Sequence, residues 1–197
     1  MDKLRNKLQN FNYKIILGSA SPRRQELLKG MGFEFTVKAI NADESFPEDL
    51  QAENIPLYLA EKKSKAFAGA LNENNLLITS DTIVWHNNKV LNKPAGFAEA
   101  VRMLSQLSNS AHEVFTAVCL CSSKKTKLFY DHTKVHFKNL SLEEIEYYVT
   151  NYNVYDKAGA YGAQDWIGFV AIEKIEGSYF NVMGLPTKML YEELLNF

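Results

Sequence analysis

Ile15-Ile16-Leu17-Gly18-Ser19-Ala20-Ser21-Pro22-Arg23-Arg24 decides how the chain folds. Three apolar β-formers run into a turn of small residues. The turn ends at Pro22, which suits the first position of a helix with Ser21 as its cap. Strand, tight turn and helix in immediate succession open an α/β unit. Such a helix start aims free backbone N–H groups and a positive dipole end at whatever fills the turn. Arg23 and Arg24 add fixed charge and forked donors that match phosphate oxygens. The segment therefore predicts a site for an anion, most naturally a polyphosphate, with Ser19, Ser21 and Arg24 as donors. It is not a Walker loop, because no Gly-Lys-Ser/Thr follows a spaced glycine.

Outward from that unit, strand and helix signals alternate. Tyr13–Leu17 and Phe33–Ile40 read as strands around a helix from Pro22 to Lys29. A polar, acidic loop over Asn41–Ala52 leads to a helix over Pro56–Leu71. Leu76–Thr79 reads as a short buried strand, and Thr82–Val90 as a hairpin turning at His86–Lys89. A helix over Ala98–Leu107 precedes strands Val114–Cys121 and Lys127–Phe137. Ser141-Leu142-Glu143-Glu144 is a capping box that opens a helix ending near Asn151. Ala158–Gly168 is rich in glycine and aromatics, Phe169–Ile175 reads as a strand, and Pro186–Leu195 as a terminal helix. Crossovers interleaved with hairpins predict an α/β fold: a mixed, elongated twisted sheet with flanking helices and a cleft between two halves.

The 197 residues fit a single domain over 1–197, two lobes around a central cleft, with a polar N-terminal extension over 1–12. A net charge of −1 gives no sign of bulk attraction to nucleic acid or a membrane surface, so an anion site must arise from local placement of charge. No apolar run approaches the roughly 20 residues of a membrane helix, and the first ten residues lack the apolar core of a secretory signal. The expectation is a cytoplasmic protein. Cys119 and Cys121 stand two apart, too close for an unstrained disulfide and without a second pair at zinc spacing. They read as free thiols on a half-buried strand.

Several residues have the chemistry of a site. In Ser80-Asp81-Thr82, a carboxylate follows an apolar strand, the place where open α/β sheets bind ligands. Asp81 there holds a metal, orients a water or simply shapes a turn. Lys63 lies four residues after Leu59 and three before Ala66, inside the apolar stripe Ile55, Leu59, Ala66, Ala70. A lysine in that position must snorkel, pair with a carboxylate or face a polar cavity. Lys65 points elsewhere and reads as a surface charge. Lys93-Pro94 and Asp43-Glu44 carry charge but little signal by themselves. Asp156-Lys157-Ala158-Gly159-Ala160-Tyr161-Gly162-Ala163-Gln164 allows close backbone approach to a ligand and offers an amide with both a donor and an acceptor. Gly177-Ser178-Tyr179 through Gly184-Leu185-Pro186 is a second loop of this kind. His132 and His136 share a strand face and read as a solvated or satisfied pair.

Taken in order, Ser19-Ala20-Ser21-Pro22-Arg23-Arg24, Ser80-Asp81-Thr82, Lys93-Pro94, Asp156 to Gln164 and Gly177 to Pro186 resemble the Maf family of nucleoside triphosphate pyrophosphatases, from about Lys14 to Phe197. The resemblance implies a fold like that of the inosine triphosphate pyrophosphatases. It implies cleavage of a nucleoside triphosphate to the monophosphate and pyrophosphate, with a divalent cation, Mg²⁺ or Mn²⁺. Asp81 matches the family's catalytic aspartate, and Glu44, Lys63 and Lys93 its other charged site residues. Asp81 and Glu44 would hold the metal, and Lys157 joins Ser19, Ser21 and Arg24 around the phosphates. Members of the family often pair into homodimers, though no exposed apolar stripe in this sequence marks such a face.

Arg23, Thr82 and Gln164 match the positions that set base preference. Arg, Thr and Gln there resemble the subfamily acting on dTTP, UTP and modified pyrimidines. The subfamily acting on 7-methyl-GTP tends towards an aromatic, Gln and Glu. Gln164 can donate to a uracil or thymine carbonyl and accept from N3–H. One departure stands out: many relatives follow the glutamine with glycines, whereas this chain has Asp165-Trp166-Ile167-Gly168, which predicts a stiffer or differently shaped loop. Two other readings of the resemblance are a nucleotide-binding regulator of septation or cell shape with vestigial hydrolysis, and a pyrophosphatase for damaged, inosine-type purine nucleotides.

Overall fold

The computed structural model describes residues 13–67 and 71–197. The expected extension over 1–12 and the position of Ala70 lie outside the described residues. Among the described residues, seven strands form one mixed sheet: β1 (Lys14–Leu17), β2 (Phe35–Val37), β3 (Asn75–His86), β4 (Lys89–Leu91), β5 (Ala111–Cys121), β6 (Thr126–Phe137) and β7 (Ile172–Glu176). Their order is β2-β1-β3-β5-β6-β7, with β4 beside β3. β1 runs parallel to β2 and β3, and the other pairings are antiparallel. The helices are α1 (Pro22–Gly30), α2 (Asn54–Lys65), α3 (Phe97–Leu107), α4 (Leu142–Asn151), α5 (Trp166–Ala171), α6 (Tyr179–Met183) and α7 (Thr187–Leu195). A 3₁₀ turn covers Ala158–Ala160.

The opening segment folds as expected. β1 passes into the turn, and Pro22 starts α1. Gly18 lets the turn lie against β3 and the next loop: a Cβ there would stand 2.6 Å from the Ile40 side chain and 2.8 Å from that of Thr79. Ser21 occupies the cap position, but its hydroxyl makes no capping bond, contrary to the expected cap. The Ser141–Glu144 capping box forms with both reciprocal bonds.

The main correction concerns β3. The expected buried strand and hairpin arm are one twelve-residue strand, so Ser80-Asp81-Thr82 lies in mid-strand and not at a strand end. β5 accounts for this, pairing with β3 without a break from Leu77 to Trp85. On the opposite edge, β1 covers β3 only over Asn75–Ile78 and β4 only over Val84–His86. Thr79–Ile83 therefore faces a gap between two strand neighbours, and the polar triplet sits in it.

Other elements shift in smaller ways. β2 is confined to Phe35–Val37, and α2 ends at Lys65 instead of Leu71. Phe169 does not begin a strand. It projects from α5, 83% exposed, while Ile167 and Ala171, one helical turn apart, are fully buried. α6 was not anticipated. Ser178 caps it by accepting from the Asn181 N–H, and Gly184 ends it at φ 110°.

Apolar side chains gather on both sides of the gap. Leu17, Leu28, Ile78, Leu120, Leu185 and Leu190 pack α1 and α7 against the parallel end of the sheet. Met103, Leu104, Val135, Tyr148, Ile167 and Ala171 pack α3, α4 and α5 at the antiparallel end. α2 lies over the middle through Ile55, Leu59, Ile83 and Phe115, and Thr79 Oγ1 donates to the Ala60 carbonyl at 2.7 Å.

Candidate active site

The gap beside Thr79–Ile83 is the floor of a cleft of about 500 Å³. Five basic side chains (Arg23, Arg24, Lys63, Lys93, Lys157) and three acidic ones (Glu44, Asp81, Asp156) line it, a balance suited to an anionic ligand. Ser19, Ser21, Thr82 and Gln164 line it too, so the residues matched to the family's site share one cavity.

α2 delivers Lys63. Ile55, Leu59 and Lys63 follow at four-residue steps, and all three are buried. The Lys63 ammonium donates to Asp81 Oδ1 at 2.5 Å and to Glu44 Oε1 at 2.9 Å. Glu44 arrives from the acidic loop, and its Oε2 accepts from Lys93 Nζ at 2.7 Å. The result is an alternating bridge, Asp81–Lys63–Glu44–Lys93. Burial pushes the Asp81 carboxyl above its ordinary range despite the pull of Lys63 and Arg24. Burial also raises Glu44, but hydrogen bonds from Lys93 and Lys63 prevail and hold it at about 2.

Arg24 lies across the floor from the opposite side and meets a different set of partners. Nε donates to the Gly184 carbonyl and Nη1 to the Ser80 carbonyl, both at 2.8 Å. Nη2 donates to Thr82 Oγ1 at 3.1 Å, and Nη1 reaches Ser19 Oγ at 3.4 Å. The Ser80 carbonyl belongs to the strand edge that β1 and β4 leave uncovered, so Arg24 supplies the donor a neighbouring strand would have given. Most of the guanidinium's N–H groups are thus spent on the protein. Burial lowers its pKa.

Lys157 is similarly committed, to the Asn153 carbonyl, to Asp156 Oδ1 at 2.9 Å and to Asp165 Oδ2 at 3.6 Å. Arg23 Nη1 pairs with Asp156 Oδ2 at 3.2 Å. Gln164 Nε2 donates to Asp165 Oδ1 at 3.1 Å. The Asp165 carboxylate also accepts from the Tyr148 hydroxyl at 2.8 Å, and that hydroxyl accepts from Gly162 N–H at 3.1 Å. The loop after Gln164 is thus tied to α4 through Asp165 and Tyr148.

Sequence reasoning gave no role to Asp156, Asp165 or Tyr148. Tyr148 sits among Ile145 and Val149 and reads as core, and only its hydroxyl marks it. His132 and His136 are satisfied by Glu113 at 3.2 Å and Glu176 at 2.6 Å, outside the cleft. Cys119 and Cys121 are free thiols.

The donor chemistry fits a divalent cation that arrives with phosphate. Glu44 and Asp81 already share one cation, the Lys63 ammonium, and Mg²⁺ takes one or two carboxylates together with substrate phosphates. Among the described residues, no group of three or more His, Cys, Asp or Glu side chains could hold a metal by itself. Among the described residues, no helix is long and apolar enough to cross a membrane.

Comparison with known proteins places the chain in a family. The family model described as Maf-like protein matches residues 14–197. The dTTP/UTP pyrophosphatase of Flavobacterium johnsoniae is 51% identical over 191 residues, 97% of each chain. The dTTP/UTP pyrophosphatase of Bacteroides fragilis is 51% identical over 183 residues, 92% of this chain and 95% of its own. Among solved structures, the Ham1 protein of Staphylococcus aureus aligns with a TM-score of 0.47 at 15% identity, covering 91% of this chain and 99% of its own. The chain belongs to the Maf-like protein family.

Proposed function

We propose that this protein hydrolyses dTTP and UTP to the monophosphate and pyrophosphate, with a divalent cation bound between substrate and protein. The names of its relatives support the substrate class, and Arg23, Thr82 and Gln164 at the cleft support the base preference. The observation that carries the reaction is the bridge Asp81–Lys63–Glu44–Lys93, buried at Asp81 and Lys63 and open to the cleft at Glu44 and Lys93, facing a helix N-terminus across a basic cleft.

The chemistry asked of the site is in-line attack of water on the α-phosphorus. A new P–O bond forms, the bond from the α-phosphorus to the α–β bridging oxygen breaks, and pyrophosphate leaves. Charge builds on the bridging and leaving oxygens, so catalysis is chiefly positioning and electrostatics. Asp81, raised by burial, accepts the proton of the attacking water. Lys63 and Lys93 stand within reach of phosphate oxygens once the triphosphate competes with Glu44 for them. Glu44 and Asp81 would hold the cation, which when bound neutralises phosphate charge and acidifies water. Ser19, Ser21 and the free N–H groups at the start of α1 orient the phosphate chain. Arg24 and Lys157 keep the wall in shape, since protein acceptors already hold them.

A panel of nucleoside triphosphates with Mg²⁺ and with Mn²⁺, scored for pyrophosphate, tests the reading. Pyrophosphate from dTTP and UTP is expected. Orthophosphate as first product would place the cleavage elsewhere, and 7-methyl-GTP or inosine triphosphate as best substrate would overturn the base preference.

A further inference from the structure

Gln164 has two ends that a base could read, and a free amide can present either by turning over. In this chain the end is not free. Asp165 Oδ1 accepts from Gln164 Nε2 at 3.1 Å, and an ionised carboxylate has no hydrogen to offer Oε1. Asp165 is itself fixed, with its other oxygen accepting from Tyr148 at 2.8 Å and lying 3.6 Å from Lys157 Nζ. The amide and the carboxylate both lie over Gly162, where a Cβ would stand 2.6 Å from Gln164 Nε2 and 2.8 Å from Asp165 Oδ2. Gln164 Oε1 is buried and has no donor in the protein. The residue lines the cleft.

We infer that Asp165 is a positioning residue that fixes the orientation of the Gln164 amide and thereby sets which pyrimidines the cleft accepts. With one N–H spent on Asp165, the remaining edge of the amide is one N–H and the unpartnered Oε1, in fixed order. That edge complements an imide, which offers a carbonyl and a ring N–H in the matching order. Uracil and thymine have this edge. Cytosine has the opposite one, an amino donor and a ring-nitrogen acceptor, and meets donor against donor and acceptor against acceptor. This inference rests on the pyrimidine reading of the cleft proposed above, and adds that discrimination lies in a residue that itself touches no base.

The test is kcat/KM for UTP and for CTP in wild type, Asp165→Asn and Tyr148→Phe. Asn is isosteric with Asp, and its oxygen can keep the Tyr148 bond while its NH₂ faces Gln164. The Gln164 amide then turns its oxygen to that introduced NH₂ and reverses its edge. UTP should be preferred by the wild type, and Asp165→Asn should lower the UTP/CTP ratio by about tenfold or more, with CTP gaining while UTP falls. Tyr148→Phe leaves the Asp165–Gln164 contact in place and should keep the ratio within about threefold, even if it melts lower. Equal loss on both substrates in Asp165→Asn, or an unchanged ratio, would overturn the inference while leaving the enzyme reading intact. No pyrophosphate from either nucleotide with the wild type would overturn both.

Discussion

Two cations line the cleft floor, Lys63 buried and Arg24 half-buried, and they are held in opposite ways. Arg24 is held by neutral acceptors: two backbone carbonyls and two hydroxyls. Lys63 is held by two carboxylates, one buried and one half-exposed. Backbone acceptors on a strand edge and a loop cannot leave without unfolding that edge, so Arg24 is a clamp. Carboxylate side chains can exchange partners with a phosphate or a metal, so Lys63 belongs to a bridge built to be rearranged. On the proposed reading, positive charge serves shape on one wall and reaction on the other.

Substitutions should separate the two walls. The largest rate effect is expected at Asp81→Asn, with kcat for UTP falling about 10³-fold while the melting temperature falls less than in Lys63→Met, because the amide is near-isosteric and Lys63 keeps its bond to Glu44. Lys63→Met should cost roughly 10²-fold in kcat. It should also destabilise, because it leaves the Asp81 carboxylate buried without its main partner, and breaking such pairs costs about 3–5 kcal/mol. Adding Asp81→Asn to Lys63→Met should restore most of that stability, which denaturant titration would show. If Lys63→Met neither slows turnover nor destabilises, the bridge is ornamental.

Arg24→Met inverts the pattern. Loss of the donor to Ser80, Gly184 and Thr82 should lower stability by about 2–4 kcal/mol, with kcat of the folded protein falling less than in Lys63→Met. A rate loss larger than that of Lys63→Met, at unchanged stability, would exchange the roles of the two walls.

Acid should act on the core before it acts on the bridge. His112 is buried against the Tyr161 hydroxyl at 2.7 Å, and burial lowers its pKa to about 3. Its folded value lies below the unfolded one of about 6.5, so the unfolded chain binds the proton first. Stability is then complete above pH 6.5 and falls as pH drops towards 3, by roughly 3 kcal/mol at pH 4. Glu44, held at about 2 against an ordinary 4.5, adds a loss confined to pH 4.5 down to 2. His112→Gln should flatten the upper window and leave the lower one, as urea titrations between pH 7 and 4 would reveal. The smallest effect is expected at Lys65→Met. Lys65 pairs with Glu61 on the exposed face of α2, and both stability and kcat should stay near wild type.

How much of this was legible in the sequence depends on the kind of partner involved. Lys63 was legible because a charge interrupting an apolar helical stripe must find a partner, and it finds two. The opening turn was legible because Gly18, Pro22 and the arginines each have a backbone or charge signature. The continuity of β3 was not, since Ser80-Asp81-Thr82 looks like a strand end, and only the pairing with β5 keeps it extended. The clamp was illegible for a related reason: two of its acceptors are backbone carbonyls, which every residue carries, so the sequence pointed Arg24 at phosphate instead. Asp165 stood out only as a departure from glycine. Its role needed the tyrosine of α4, seventeen residues earlier, to be seen beside it.

The contrast between the walls rests on Asp81 and Lys63 acting as one unit on water and the α-phosphate. The direct measurement is a cycle of kcat for pyrophosphate release from UTP across wild type, Asp81→Asn, Lys63→Met and the double variant. Groups that act together lose their effect once, so the double variant should be no slower than the slower single variant. Losses that multiply, to about 10⁵-fold in the double variant, would mean that the two residues act independently and that the bridge is not the catalytic unit.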